Sequence, residues 1–349
     1  MTDSSMVIAT YVLKSKDIKK AAQALAIGQS IGHPTLRTRW DKKVSERHLA
    51  HAKIKGHEVT VSWPSRNFGT KPSLNHMMSV LMGGQMDIDL IKGCRLIDLD
   101  LTSLEHLFPK PHYGMGGIRR LVKKDKGPLL GAVLKPKQGL KPNEMAEICL
   151  EMAQAGIDFI KEDECLATEA YECSLEVRVP IIMKSLSGTN TLYTPCITSD
   201  HYEDAYMARL KGAKAVHLNL WAGLGTYHRL RTSLDLALFF QKSGDKVWTT
   251  GPFSIDYAVL CKLIWLAGCD IAHIGMYGGY MSESVEVLKK RIKAMGTTLP
   301  SFSCGMTPKA ARKIVDIFGP DVMLTSGGWI GSHPKGITYA VKEMQRAIS

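Results

Sequence analysis

The chain has 349 residues, 45% of them hydrophobic and 22% charged, values that exclude wholesale disorder, a collagen-like repeat and a disulfide miniprotein. Its net charge of +12 favours an anionic partner, but the basic residues are scattered and aromatics reach only 7%, which argues against nucleic acid and for a small phosphorylated metabolite. No run approaches the roughly 18–20 apolar residues of a membrane span, the opening MTDSSMVIATYVLKSKD lacks a basic-then-apolar leader, and the eight cysteines contain no CxxC pair, so the expectation is a cytoplasmic protein with buried thiols.

Residues 1–117 read as a small α+β, ferredoxin-like domain. MVIATYVL (6–13), HEVTVSW (57–63) and CRLIDLDL (94–101) are strand-like, and DIKKAAQALAIGQ (17–29) and PSLNHMMSVLMGG (72–84) are helical. Met77, Met78, Met82 and Met86 have near-helical spacing and read as core packing. The segment FPKPHYGMGG (108–117), rich in Pro and Gly, is the natural connector.

Residues 118–349 repeat one pattern. The apolar runs are LLGAVLK (129–135), IDFI (157–160), TLYTPCI (191–197), AVHLNLW (215–221), KVWTT (246–250), DIAHIG (270–275), PSFSC (300–304) and VMLTS (322–326). Helical segments lie between most of them. Pro142 suits a first helical turn and Gly156 a C-terminal cap; Ser199 or Asp200 opens a helix ending at Gly212; Ser254 opens one ending at Gly268; Thr307-Pro308 opens one ending at Gly319. Eight buried strands alternating with helices predict a closed (β/α)8 TIM barrel. An open doubly wound sheet is the alternative.

In such a barrel the chemistry sits at the C-terminal ends of the strands. The first strand ends in Lys135-Pro136-Lys137, and the second in Lys161-Glu162-Asp163-Glu164. Asp163 and Glu164 offer hard oxygens that suit Mg²⁺. A lysine amine is a poor ligand for it, but Lys161 as a carbamate would add a third anionic oxygen. That reaction needs the neutral amine, which nearby Lys135 and Lys137 would favour. The last two strands end in Ser303-Cys304-Gly305 and Ser326-Gly327-Gly328, where glycines free backbone N–H groups for a phosphate. His273 ends the sixth strand and is a candidate substrate contact. Thr198 and Asn219 are placed to orient a hydroxyl, and His217 is expected to pack inside the barrel. Taken singly, each of these also has a structural explanation: a basic loop, a solvated charge cluster, turn glycines.

GAVLKPKQGL (131–140), GIDFIKEDE (156–164), CDIAHIG (269–275), SFSCG (301–305), the Ser326–Pro334 loop and FPKPHYGMGGIR (108–119) together resemble the RuBisCO large-chain superfamily. The resemblance covers most of the chain in order. It implies that Lys161 is a carbamylated metal ligand with Asp163 and Glu164 as its partners on Mg²⁺. It makes Lys135 and Lys137 catalytic, Gly305, Gly327 and Gly328 a phosphate clamp, and His273 and Ser303 substrate contacts. It also implies a homodimer in which Gln29, Ser30 and His33 enter the neighbouring site.

The departures matter as much. Tyr280 stands where carboxylases carry a mobile-loop lysine. The fifth strand is expected to end Thr250-Gly251-Pro252, without the His-Arg that would pair with a second phosphate. Gly84 replaces an active-site Asn, or the base lysine of the methionine-salvage enolases. The chain therefore resembles a RuBisCO-like protein (form IV), nearest the branch holding 5-methylthioribulose-1-phosphate isomerases, and not a carboxylase. The function this implies is Mg²⁺-dependent enolisation or isomerisation of a keto-sugar monophosphate, with Lys135, or else the carbamate on Lys161, as general base. The alternatives are decarboxylation of a β-keto acid sugar phosphate and non-catalytic sugar-phosphate binding.

Overall fold

The computed structural model describes residues 5–32 and 41–349. The chain divides into two compact units, one taking Met1–Pro109 and Gly244–Leu266, the other Lys110–Ser243 and Ala267–Ser349.

In the first unit the strands β1 (Met6–Lys14), β2 (His51–Lys55), β3 (Glu58–Pro64) and β4 (Gly93–Asp100) form an antiparallel sheet in the order β4-β1-β3-β2. Helices Ile18–Gly28 and Leu74–Leu81 follow β1 and β3. This is the expected ferredoxin-like topology. Alternating burial along β1 and β3 turns one face of the sheet inward. Tyr11 Oη donates to the Leu81 carbonyl at 2.9 Å, tying the second helix to that face. Met77 and Met86 are buried, as core packing requires, whereas Met78 and Met82 are only half-buried.

The second unit contains the strands β5 (Leu129–Val133), β6 (Phe159–Lys161), β7 (Leu192–Thr194), β8 (Ala215–Asn219) and β9 (Ala237–Gln241). A short β10 (Phe253–Ile255) follows in the chain but joins the first unit, parallel to β4. Then come β11 (Ile271–Gly275), β12 (Leu299–Phe302) and β13 (Met323–Ser326). Eight strands pair in parallel in the order β7-β6-β5-β13-β12-β11-β9-β8. A parallel bridge between Cys196 and His217 joins the two ends, with Ile197 N donating to His217 O and His217 N to Pro195 O, both at 3.0 Å. The sheet is a closed barrel, which removes the doubly wound alternative.

The fifth barrel strand differs from the expectation. It is Ala237–Gln241, buried at every residue. KVWTT is instead the short helix Lys246–Thr249, with no buried residue, and Ser254 lies in β10, so it does not open a helix. The reason is burial: ALFFQ offers five consecutive residues that can be covered on both faces, whereas Lys246–Thr249 belongs to the first unit.

The barrel is filled from its strands. Leu129, Phe159, Leu192, Ala215, Phe239, Ile271, Leu299 and Met323 form one apolar cluster. Phe159 and Phe239 stack across it with centroids 5.5 Å apart. Ile118 and Val122, on and just after the helix Gly114–Leu121, join the same cluster. Buried Asp270 fixes the approach to that helix, accepting from Tyr113 N at 2.8 Å and Gly114 N at 2.9 Å while paired with Arg231. Several caps occur as expected. Pro142 opens its helix, and Gly156 caps it in the left-handed region at φ 101°. Thr307 accepts from Ala310 N with Pro308 following. The helix near Ser199 begins only at Glu203.

Candidate active site

A cavity of about 680 Å³ opens at the C-terminal ends of the barrel strands. Of the residues singled out in the sequence, it is lined by Lys135, Lys137, Lys161, Asp163, Glu164, His273, Ser303, Gly305, Gly327, Gly328 and Tyr280.

The alternation of an extended chain sorts the run after Ile160. Lys161 and Asp163 turn into the cavity, and Glu162 turns away. Glu162 is fully buried and belongs to a separate network. It pairs with Arg178 and accepts from Tyr193 Oη and from Cys196 N at 2.7 Å. Sequence reading left Arg178 and Tyr193 unnoticed, since a buried ion pair 16 residues apart leaves no local pattern.

Lys161 is 1% exposed. Its Nζ donates to the Glu162 carbonyl at 2.9 Å and lies 3.6 Å from Glu164 Oε2. Burial, above all, pushes its amine below the usual lysine value, and the Lys135 charge adds to this. Desolvation is therefore the main cause, where the sequence pointed to neighbouring cations. Asp163 accepts from Lys135 Nζ and from Cys165 N at 3.1 Å, and Lys137 Nζ is 3.7 Å away. Burial raises the Asp163 carboxyl, yet these hydrogen bonds and lysine charges hold it below its ordinary value. Glu164 is treated alike: burial raises it, and Lys161 and the Ser243 hydroxyl bring it below. Lys137, beside Asp163, is held above its ordinary value.

Gly327 and Gly331 stand where a side chain would crowd Lys135, whereas Gly328 has open space. A Cβ on Gly327 would lie 3.3 Å from Lys135 Cε, and one on Gly331 would lie 3.2 Å from Lys135 Cβ. The lysine stem thus runs along the glycine loop. Gly305, at φ 88°, packs against the loop carrying Tyr280. A Cβ on Gly279 would lie 2.1 Å from Cys304 O, and Tyr280 N donates to that same carbonyl at 3.2 Å. The Tyr280 ring is 89% exposed at the cavity rim.

His273 is 4% exposed, with its ring edge-on to Phe239 at 4.8 Å. Burial takes its imidazole down to about 3. His217 packs inside the barrel as expected, fully buried and edge-on to Phe239 at 6.2 Å. Thr198 and Asn219 are engaged with backbone: Thr198 Oγ1 accepts from Asn219 N at 2.8 Å, and Asn219 Nδ2 donates to Ser243 O at 3.1 Å. Gln29 is held within its own unit, its Nε2 donating to Val80 O at 2.8 Å and to Ser79 O at 3.0 Å. Ser30 Oγ donates to Ala26 O at 2.7 Å. His33 lies outside the described residues. Cys165 and Cys304 are exposed near the cavity, contrary to the expectation of uniformly buried thiols; the other six are buried.

Correcting the fifth strand brings in residues that the sequence reading missed. Its end is Gln241-Lys242-Ser243 and not the expected Thr250-Gly251-Pro252, so a basic residue, Lys242, does stand there; Gln241 and Ser243 line the cavity. The signal was present in the apolar run ALFFQ. Trp329, Ser332 and His333 also line the wall.

Residues 114–349 match the ribulose bisphosphate carboxylase large chain, catalytic domain, and residues 1–103 match its N-terminal domain. A 3-oxo-isoapionate-4-phosphate transcarboxylase/hydrolase of Xanthobacter autotrophicus is 31% identical over 302 residues, covering 80% of this chain and 72% of that protein. A 3-oxo-isoapionate-4-phosphate decarboxylase of Rhizobium etli is 29% identical over 365 residues, covering 97% and 84%. The fold is shared with the rubisco-like protein MtnW of Alicyclobacillus acidocaldarius, with a TM-score of 0.87 and 24% identity over 99% of this chain and 93% of that one. Two matched domains spanning nearly the whole sequence, with the strand-end lysines and carboxylates gathered on one cavity, lead to one conclusion: the chain belongs to the ribulose bisphosphate carboxylase large-chain family, as a RuBisCO-like member.

Proposed function

We propose that this protein is a Mg²⁺-dependent enzyme that forms an enolate from a phosphorylated keto sugar, and that the enolate arises by decarboxylation of a β-keto acid sugar phosphate. The observation that carries the proposal is the convergence of Lys161, Asp163 and Glu164 with Lys135 and Lys137 on one cavity. The names of two relatives, each acting on a 3-oxo acid phosphate, weigh toward C–C cleavage over the isomerisation expected from sequence.

The residues fit the metal. Asp163 and Glu164 supply two hard oxygens. Among the described residues no three His, Cys, Asp or Glu side chains gather to hold a cation, so a third anionic oxygen must come from elsewhere. Lys161, buried and shifted toward the neutral amine that attacks CO₂, is the residue that supplies it as a carbamate. Bound Mg²⁺ would polarise the keto group and stabilise the charge left when the adjacent bond breaks.

The chain does the rest. Gly305, Gly327 and Gly328 orient the phosphate through backbone N–H groups. The electron pair of the broken C–C bond stays on the α-carbon as CO₂ departs. Lys135 donates the proton that completes the product, and Lys137 balances negative charge beside Asp163. His273 and Ser303 contact the far part of the substrate, and a homodimer accords with the family resemblance. A single phosphate suits a cavity with one glycine-lined wall.

The test supplies carboxyl-¹³C-labelled 3-oxo sugar acid phosphates in deuterium oxide with Mg²⁺ and bicarbonate. Labelled CO₂ with one deuterium in the product is the expected result. Deuterium exchange without CO₂ would mean isomerisation, and tight binding with neither would mean a binding protein.

A further inference from the structure

The end of β9 carries a side chain whose orientation its neighbours dictate. Gln241 lines the cavity and is 6% exposed. Its Nε2 donates to Ser243 Oγ at 2.7 Å, and Ser243 Oγ donates to Glu164 Oε1 at 2.6 Å. A carboxylate only accepts, and a hydroxyl has a single proton to give. Ser243 gives that proton to Glu164, so it must accept from Gln241. The amide is thereby obliged to turn its NH₂ group toward Ser243. Its Oε1 is left buried with no hydrogen-bond partner among the described residues. A buried acceptor of this kind is unfavourable until a donor reaches it.

Resting on the sugar-phosphate reading above, we propose that Gln241 is a specificity-determining residue whose Oε1 accepts a hydrogen bond from a hydroxyl of the substrate. The chain Gln241–Ser243–Glu164 fixes the polarity of that contact and links it to a carboxylate of the candidate metal site. Oxygen facing oxygen disfavours a phosphate or carboxylate directly against Oε1. The anionic end is thereby directed to Gly305, Gly327 and Gly328, and the hydroxylated carbons lie along β9. A substrate lacking the hydroxyl leaves the acceptor unpaired and is rejected.

The test is calorimetric titration of the full chain, with Mg²⁺ and bicarbonate present, by three probes: inorganic phosphate, ribulose 1-phosphate and the monodeoxy analogues of ribulose 1-phosphate. In the wild type one analogue should bind about tenfold more weakly than its parent. Gln241→Leu should erase that difference and leave inorganic phosphate affinity within about twofold, which also shows that the variant is folded. Ser243→Ala keeps Gln241 but frees its amide to turn, and should narrow the difference. Retention of the full difference in Gln241→Leu would overturn the proposal. So would a loss of inorganic phosphate binding parallel to that of the sugar phosphate in this variant, provided its circular dichroism is unchanged. Wild-type protein that binds ribulose 1-phosphate no better than inorganic phosphate would refute the hydroxyl contact alone. Failure to bind any of the probes would refute the sugar-phosphate reading itself.

Discussion

Arg178 grips Glu162 through two parallel hydrogen bonds, Nε to Oε1 at 2.7 Å and Nη2 to Oε2 at 3.0 Å, with both side chains fully buried directly behind the segment that carries Lys161 and Asp163. The pair, with Tyr193 and Cys196 N, anchors the outward residue of an alternating strand end, and so keeps its neighbours pointing inward. Removing one partner strands a buried charge. Arg178→Leu is expected to lower folding stability by about 3–5 kcal/mol. Urea denaturation checks this, and a change below about 1 kcal/mol would show that the network is dispensable.

Lys161 should take up CO₂ at a lower pH than an exposed lysine. Burial pushes its amine down, so the neutral, reactive form is reached earlier as pH rises. Carbamylation at fixed dissolved CO₂ should therefore increase with pH and reach its midpoint below the ordinary lysine range. Carbon-13 NMR with labelled bicarbonate reads the carbamate directly, and Lys161→Arg should abolish the signal along with activity. A signal that persists in the variant would assign the carbamate to another lysine.

His273 makes stability depend on pH in one direction. Burial lowers its imidazole from 6.5 to about 3. Between those values the unfolded chain binds a proton that the folded chain does not. Stability therefore rises with pH across that window and is lost as pH falls through it, by up to about 1.4 kcal/mol per unit for one such group. Thermal denaturation from pH 7 to 4.5 should show a shallower slope for His273→Gln than for the wild type. Parallel slopes would mean that the imidazole protonates while folded.

Gly279→Ala tests the contact between the Tyr280 loop and the glycine wall. Its Cβ would lie 2.1 Å from Cys304 O, so one of the two backbones must move. Overpacking of this kind costs about 1–3 kcal/mol, and moving Cys304 also disturbs Gly305. The variant should lose both melting temperature and inorganic phosphate affinity. Unchanged phosphate binding would separate the Tyr280 loop from the phosphate wall.

Several features of the fold were legible because they follow from local chemistry. Pro142 and Gly156, or Thr307 and Pro308, satisfy the ends of one helix without help from the rest of the chain. The fifth strand was not legible in the same way. ALFFQ follows RLRTSLDL directly, and KVWTT has the β-branched and aromatic residues of a strand. Local pattern favoured the wrong segment, and burial on both faces of the barrel decided for the other.

The sequence by itself determined the strand–helix alternation, the ferredoxin-like first unit, and which lysines, carboxylates and glycines stand at strand ends, because each depends on residues within a few positions of one another. Only the tertiary structure decided that Glu162 turns away to meet Arg178, that burial more than neighbouring charge lowers Lys161, and that Gln241 and Ser243 join the cavity. Those outcomes depend on groups brought together from separate strands, where desolvation and hydrogen-bond partners are set by closure of the barrel and by nothing in the local chain.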